Sequence, residues 1–149
     1  MSAIADARAL LARERHATLC TAHVEFDGWP FGSIVPYAPT PEGDALVFLS
    51  DIAEHTKNLL ADPRACLFVA DPAAAEAPQA GARLALMVRG RQLAGDDAEA
   101  PYFARFPSAA AMRQSHGFAV WRLAVERVRW IAGFGAMGWI ARDRWQAGA

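Results

Sequence analysis

Short apolar runs bounded by turn residues recur along the chain and predict β-strands. Six runs have this character: Ala17 to Val24, Phe31 to Tyr37, Ala45 to Ser50, Ala65 to Ala70, Arg83 to Leu93 and Phe118 to Ile131. The Asp27-Gly28 pair after the first run predicts a tight hairpin, because both residue types tolerate positive φ angles. Pro36 in the second run lacks an N–H group, which predicts an edge or a bulge there.

Helical spacing of apolar residues appears in three places. A short amphipathic helix is predicted at about residues 2–15, where one stripe is formed by Ile4, Ala7, Leu10 and Leu11. A second helix is predicted within residues 50–62, directly after the third strand. A helical insertion is predicted at about residues 97–116, and Pro107 divides it into two short helices.

These elements predict one domain of residues 1–149 that is mainly β with peripheral helices. Strands joined by hairpins favour an antiparallel barrel, and strands and helices do not alternate as a doubly wound parallel sheet requires. Residues 71–82 are rich in proline, alanine and glycine without periodicity, so a mobile loop is expected there.

Composition excludes several classes of function. The chain is 54% hydrophobic and 21% charged, with a formal net charge of −1, so it lacks the basic excess typical of nucleic-acid binding. It has no apolar run long enough to span a membrane and no secretory signal, and we expect a cytoplasmic protein. Cys20 and Cys66 lack C-x-x-C spacing and are expected to be buried thiols of a reducing compartment.

No metal site is predicted, because the four histidines show neither H-x-x-x-H nor H-x-H spacing. They are His16, His23, His55 and His116. The run from Gly133 to Gly138 matches G-x-G-x-x-G, but too few residues follow it for the helix and acidic residue of a dinucleotide site. We interpret these glycines as positions that bend the last strand or let the backbone of another segment approach closely.

The stretch Ser50 to Asp62 is the strongest candidate for chemistry. A helix N-terminus has free N–H groups and the positive end of the helix dipole, which together favour an anion. Polar residues around this start are Ser50, His55, Thr56, Lys57 and Asn58. The alternative is an ordinary capped helix, in which Asp51 and Glu54 form a capping box.

Several segments resemble the flavin-binding split-barrel proteins related to pyridoxamine 5'-phosphate oxidase, and most closely their haem-utilisation branch. The segments are GWPFGSIVPYA, ALVFLSDIAEHTKNLLADPRACLFV, VRG, PYFARFP and FAVWRLAVERVRWIAGFGAMGWI, within about residues 7–140. The most specific parts are S-x-x-x-x-H-T-x-N-L and the final G-F-G. Pyridoxamine 5'-phosphate oxidases themselves have an Arg-Lys pair in place of His55-Thr56, so oxidation of vitamin B6 is not implied.

The resemblance implies a homodimer of six-stranded antiparallel split β-barrels with one FMN in each of two clefts between the subunits. The residues that match the family's phosphate site are Ser50, His55 and Thr56, with Asn58 nearby. The edge of the isoalloxazine would follow the second strand, at Ser33, Ile34, Val35 and Pro36.

The expected function is that of a flavin-dependent oxidoreductase acting on an unknown small molecule. The flavin would carry out the chemistry, so no catalytic side chain is assigned. One alternative is a non-enzymatic flavin or haem binding protein, and another is a deazaflavin-dependent reductase.

Overall fold

A computed structural model describes residues 2–113, 115 and 117–148. Its strands are β1 (His16–Ala22), β2 (Pro30–Pro36), β3 (Ala38–Pro39), β4 (Ala45–Ser50), β5 (Arg64–Ala70), β6 (Arg83–Gln92), β7 (Phe118–Gly133) and β8 (Ala136–Ala141). Its α-helices are α1 (Ala3–Arg13), α2 (Glu54–Ala61), α3 (Asp96–Arg105) and α4 (Arg142–Ala147). Among these described helices, none is long and apolar enough to cross a membrane.

The strands form one antiparallel sheet in the order β2-β1-β5-β6-β7-β4-β3, and β8 pairs with the remaining part of β7. The two ends of this order, β2 and β3, are consecutive in the chain and only Tyr37 separates them. The sheet must therefore curl until its ends meet. This arrangement confirms the predicted antiparallel split barrel with peripheral helices.

The predicted number of six strands is wrong although the fold is right, because the described residues form a sheet of eight strands. One additional strand, β3, is only two residues long. The other, β8, forms because the chain reverses after β7 through a turn in which Gly135 has a φ of 78°. The glycines therefore belong to a hairpin that turns the chain back along β7. Of the two interpretations from the sequence, a simple bend of the last strand does not hold, whereas a second backbone does run beside Gly138, which lies opposite Trp130.

The apolar stripe of α1 packs on the barrel, and all four of its residues are buried. The hydroxyl of Tyr37 donates a hydrogen bond to the Leu11 carbonyl at 2.7 Å, and the Tyr37 N–H donates to the Arg15 carbonyl at 3.1 Å. The end of α1 is thereby fixed to the closure point of the barrel. No pattern predicted α4, whose Trp145 is fully buried and donates its indole N–H to the Gly43 carbonyl at 2.9 Å.

The insertion before β7 consists of α3 and a 3-10 helix at Pro107–Met112. The predicted range extended to His116, which lies outside the described residues. Two short 3-10 turns, at Pro72–Ala74 and Pro78–Ala80, occupy the segment for which we expected a mobile loop.

The carboxylate of Asp44 stabilises β7 where this long strand changes partners. Along the edge of β7 opposite β6, β4 pairs with β7 only up to Leu123, and β8 pairs with it only from Arg127 onward. The Val125 N–H lies in the gap and donates to Asp44 Oδ1 at 2.9 Å, while Arg122 Nε donates to Asp44 Oδ2 at 2.9 Å. Asp44 is buried, and the Arg122 guanidinium, 2.8 Å from Asp44 Oδ2, balances its charge inside the protein.

We expect Asp44→Ala to lower the free energy of unfolding by about 3 kcal/mol, because it leaves a buried N–H and a guanidinium without their acceptor. Asp44→Asn keeps one acceptor oxygen and should lose less. Urea denaturation measures both effects. The control Glu76→Ala, in an exposed loop, should stay within about 0.5 kcal/mol of wild type. A loss in Asp44→Ala no larger than in this control would contradict the role of the carboxylate.

Candidate functional site

Asn58 positions α2 against the barrel. This fully buried side chain accepts a hydrogen bond from the Val24 N–H at 2.9 Å and donates one to Thr21 Oγ1 at 2.9 Å. Both polar atoms of the amide are therefore used to hold the helix against β1 and the residues that follow it. The structure gives Asn58 a structural role in holding α2 in place.

The start of α2 has no side-chain cap. Ala53 is at the N-cap position, and the alternative of a capping box formed by Asp51 and Glu54 is wrong, because the helix begins three residues after Asp51. The Glu54 carboxylate instead lies 2.9 Å from His23 Nε2. In the part of the chain that the structure describes, the N–H groups of Glu54 and His55 have no acceptor. The positive end of the helix dipole is therefore open to an anion.

His55 is held by Ser33 across the gap between α2 and β2. The Ser33 hydroxyl and His55 Nδ1 are 2.9 Å apart, and the imidazole is half-buried. Burial lowers the pKa of His55 from its ordinary value of 6.5, so the ring is mainly neutral at pH 7. Its Nε2 has no hydrogen-bond partner among the described residues, which leaves this nitrogen for a ligand.

Two hydroxyl groups lie at the same end of α2. Thr56 follows His55 in the first turn, and its Oγ1 is buried without a hydrogen-bond partner in the described residues. Ser50 ends β4, and its Oγ accepts one long hydrogen bond, of 3.4 Å, from the Ile52 N–H. A buried hydroxyl without a partner is costly, and a bound acceptor would remove that cost.

The four predicted residues of β2 do not all face this site. Side chains alternate along a strand, so Ser33 and Val35 point to the face that carries His55. Val35 is buried in the core, whereas Ile34, which is 76% exposed, and Pro36 point to the opposite face. Of the four side chains, the structure brings only Ser33 into contact with His55. As an end strand of the sheet, β2 does present a free backbone edge.

A second feature of the site was not predicted from the sequence. An aromatic pocket of about 330 Å³ lies at the β1–β2 hairpin and is lined by His23, Phe26, Trp29, Pro30 and Phe31. The His23 ring packs 4.6 Å from Phe26 and 5.3 Å from Phe31, measured between ring centroids. The aromatic residues that surround Asp27-Gly28 in the sequence were the signal from which this pocket could have been predicted.

The aromatic pocket adjoins the polar start of α2. His23 pairs with Glu54, the residue directly before His55, and Phe31 lies two positions before Ser33 on the same face of β2. An uncapped helix start thus lies beside an apolar pocket lined by rings. Such a site suits a planar, largely apolar molecule with an anionic group.

Comparisons with known proteins agree with this architecture. A family model described as CREG, beta-barrel matches residues 1–147. The structure of a heme binding protein from Mycobacterium smegmatis has a TM-score of 0.88 and 34% identity, over 99% of this chain and 61% of that chain. The non-canonical heme oxygenase HOZ of Arabidopsis thaliana, a chloroplastic protein, is 28% identical over 99% of this chain and 47% of its own length.

A more distant structure shows the fold alone. It is a protein of the pyridoxinephosphate oxidase family from Clostridium acetobutylicum, with a TM-score of 0.75 and 9% identity. The alignment covers 97% of this chain and 99% of that chain. By contrast, the chain spans about half the length of the curated heme oxygenase.

We expect acid to destabilise the protein through His55. Because the folded-state pKa is lowered, the unfolded chain binds the proton more tightly, so stability is full above about pH 6.5 and falls as pH drops through the folded pKa. The stability of wild type relative to His55→Gln should therefore decrease from about pH 7.5 to about pH 5.5. Urea denaturation at several pH values measures this difference.

The control is His16→Gln, which changes an exposed histidine and should preserve the wild-type pH profile. A difference between wild type and His55→Gln that does not change with pH would contradict a buried, neutral imidazole.

Proposed function

The chain belongs to the CREG beta-barrel family, as its resemblance to the split-barrel proteins predicted, and we propose that it binds haem at the start of α2. The observation that carries this proposal is the hydrogen bonding of the two ring nitrogens of His55. Its Nδ1 is bound to Ser33, and its Nε2 has no partner among the described residues. Histidines that ligate metals are usually oriented in this way, through a hydrogen bond to the other ring nitrogen.

The residues around His55 fit the remaining parts of a haem. Its carboxylates can accept hydrogen bonds from the open N–H groups of α2 and from the buried Thr56 hydroxyl, and Lys57 is exposed on the same helix. The aromatic pocket beside His23 offers an apolar surface to a ring. Bound haem would supply an iron centre for redox or oxygen chemistry, while these residues bind and orient it.

The names of two relatives support the same ligand. The protein from Mycobacterium smegmatis is a heme binding protein, and the one from Arabidopsis thaliana is a heme oxygenase. Both match almost the whole of this chain. We therefore propose a role in haem utilisation, with binding as its first step.

FMN is the second candidate, and the uncapped start of α2 favours it. A phosphate dianion there would interact with the helix dipole, with the hydroxyls of Ser50 and Thr56, and with the His55 imidazole. FMN would supply hydride and electron transfer, and the chain would act as a flavin-dependent oxidoreductase on a small molecule. A deazaflavin in the same cleft would be recognised by its absorption spectrum.

Titration with haem, FMN and riboflavin tests the two ligands. If haem binds through His55, the Soret band should shift, and His55→Ala should abolish that shift while His16→Ala retains it. If FMN binds through its phosphate, FMN should bind about 10-fold or more tighter than riboflavin, and His55→Ala should weaken FMN binding by about 1.5–3 kcal/mol. Equal binding of FMN and riboflavin would exclude the phosphate site, and an unchanged Soret shift in His55→Ala would exclude His55 as a haem ligand.

The two candidates predict opposite effects of pH. An iron-bound imidazole must be neutral, so haem binding through His55 should weaken as pH falls through the pKa of this histidine. An imidazole that pairs with a phosphate is charged, so FMN binding should weaken as pH rises through the pKa of His55 in the complex. Affinities of wild type and His55→Ala between about pH 5.5 and about pH 8.5 separate the two, and parallel profiles would contradict both.

A second copy of the chain is proposed to cover the β7–β8 hairpin. Phe134, Met137 and Trp139 are 79%, 58% and 53% exposed there, and exposed apolar groups of this kind mark partner sites. Trp130 on β7 does not belong to this surface, because it is 6% exposed and lies in the core of its own chain.

Light scattering at micromolar concentration should therefore give the mass of a dimer. The double variant with Phe134→Ser and Trp139→Ser should be a monomer, because it removes two apolar anchors. Leu60→Ser, which changes an exposed leucine on α2, should remain dimeric. A monomeric wild type, or a dimer that persists in the double variant, would contradict the assignment of this surface.

The cytoplasm remains the expected compartment. Cys20 and Cys66 are both free thiols in the structure. Thiols that persist in this form are typical of a reducing compartment.

A further inference from the structure

Three sulfur-containing side chains form a row on the outer face of the sheet. Cys20 in β1 lies directly opposite Cys66 in β5, and Cys66 lies directly opposite Met87 in β6. Directly opposite residues of antiparallel strands point to the same face, with Cβ atoms about 4.5–5.5 Å apart. Their neighbours Leu19, Leu67 and Leu86 point the other way and are buried in the core.

The sulfur row lies in a groove of about 640 Å³. All three residues line this groove, and both cysteines are half-buried. The groove does not include Ser33, His55 or Thr56, so the site proposed at α2 makes no use of it.

We propose that Cys20, Cys66 and Met87 bind one Cu(I) ion. Thiolate and thioether sulfur atoms are soft ligands that select this soft monovalent ion. Each cysteine would release its proton to solvent as its sulfur binds the metal, and the copper would remain Cu(I) throughout, so no oxidant or reductant takes part. The Cβ spacing allows both cysteine sulfurs to reach one ion, and the flexible Met87 side chain can supply a third sulfur.

The charge of the groove suits such a complex. Two thiolates and one Cu(I) carry a net charge of −1. Arg127 lies directly opposite Met87 and lines the groove, and it has no salt-bridge partner among the described residues. The nearby arginines of the groove, Arg64 and Arg89, are paired with Asp62 and Glu126. A guanidinium is therefore available to balance the complex.

Other uses of this thiol pair are less compatible with the surroundings. Burial, together with the neighbouring Cys20, raises the pKa of the Cys66 thiol to about 11, so Cys66 is a weak nucleophile without a metal. Zinc normally requires three or four protein ligands, and no group of three His, Cys, Asp or Glu side chains suited to a metal occurs in the described residues.

The test is anaerobic titration of the reduced chain of residues 1–149 with Cu(I), in competition with a chromogenic Cu(I) chelator. Wild type should bind one Cu(I) per chain, and X-ray absorption should give a ligand shell of sulfur alone. Cys20→Ser and Cys66→Ser should each weaken binding by about 100-fold or more, and Met87→Leu by about 10-fold. Met137→Leu, which changes an exposed methionine on β8, should bind as wild type does.

Circular dichroism and thermal melting establish that each variant is folded. A wild type that competes no better than the double variant with both cysteines changed to serine would overturn the proposal. Nitrogen or oxygen ligands in the absorption spectrum, or equal losses in Met87→Leu and Met137→Leu, would overturn the assignment of the third ligand. Ag(I), which is soft and does not change oxidation state under these conditions, should give the same order of affinities.

Discussion

Tyr37 joins the two ends of the strand order, and the closure that it makes determines where the other elements lie. Its side chain is fully buried, and its hydroxyl is bonded to the end of α1, with the Arg105 guanidinium 5.8 Å from the ring centroid. Burial raises the pKa of the Tyr37 phenol well above its usual range, so the hydroxyl remains protonated and continues to act as a donor. One residue thereby couples barrel closure to the packing of the N-terminal helix.

The curl of the sheet makes the site at α2 possible. It brings the end strand β2 round to the helix that follows β4, and Ser33 can then reach His55. Asn58 fixes the helix against β1. In this position, the first N–H groups of α2 and the Thr56 hydroxyl have no acceptors among the described residues. The buried Thr56 hydroxyl without an acceptor reduces the stability of the free protein, and a ligand that accepts its hydrogen bond would stabilise the folded state.

Strand alternation accounts for the second proposed site in the same way. Leu19 and Leu67 face the core, so Cys20 and Cys66 must face outward on the neighbouring positions of the same strands. A core requirement thus determines which residues line the outer groove. Because the two strands are also adjacent and in register, two cysteines far apart in sequence lie directly opposite each other.

The sequence by itself determined the features that depend on neighbouring residues. It predicted β1, β2, β4, β5, β6 and β7, the α1 stripe and the Asp27-Gly28 hairpin, because apolar spacing and turn chemistry act within a few positions. The tertiary structure alone decided the strand order, β3, β8, α4 and the loss of the Asp51 capping box. The strand order, α4 and the loss of the capping box depend on partners distant in the chain, such as Gly43 for Trp145 or His23 for Glu54. Local patterns carry no record of such partners, which become neighbours only when the barrel closes.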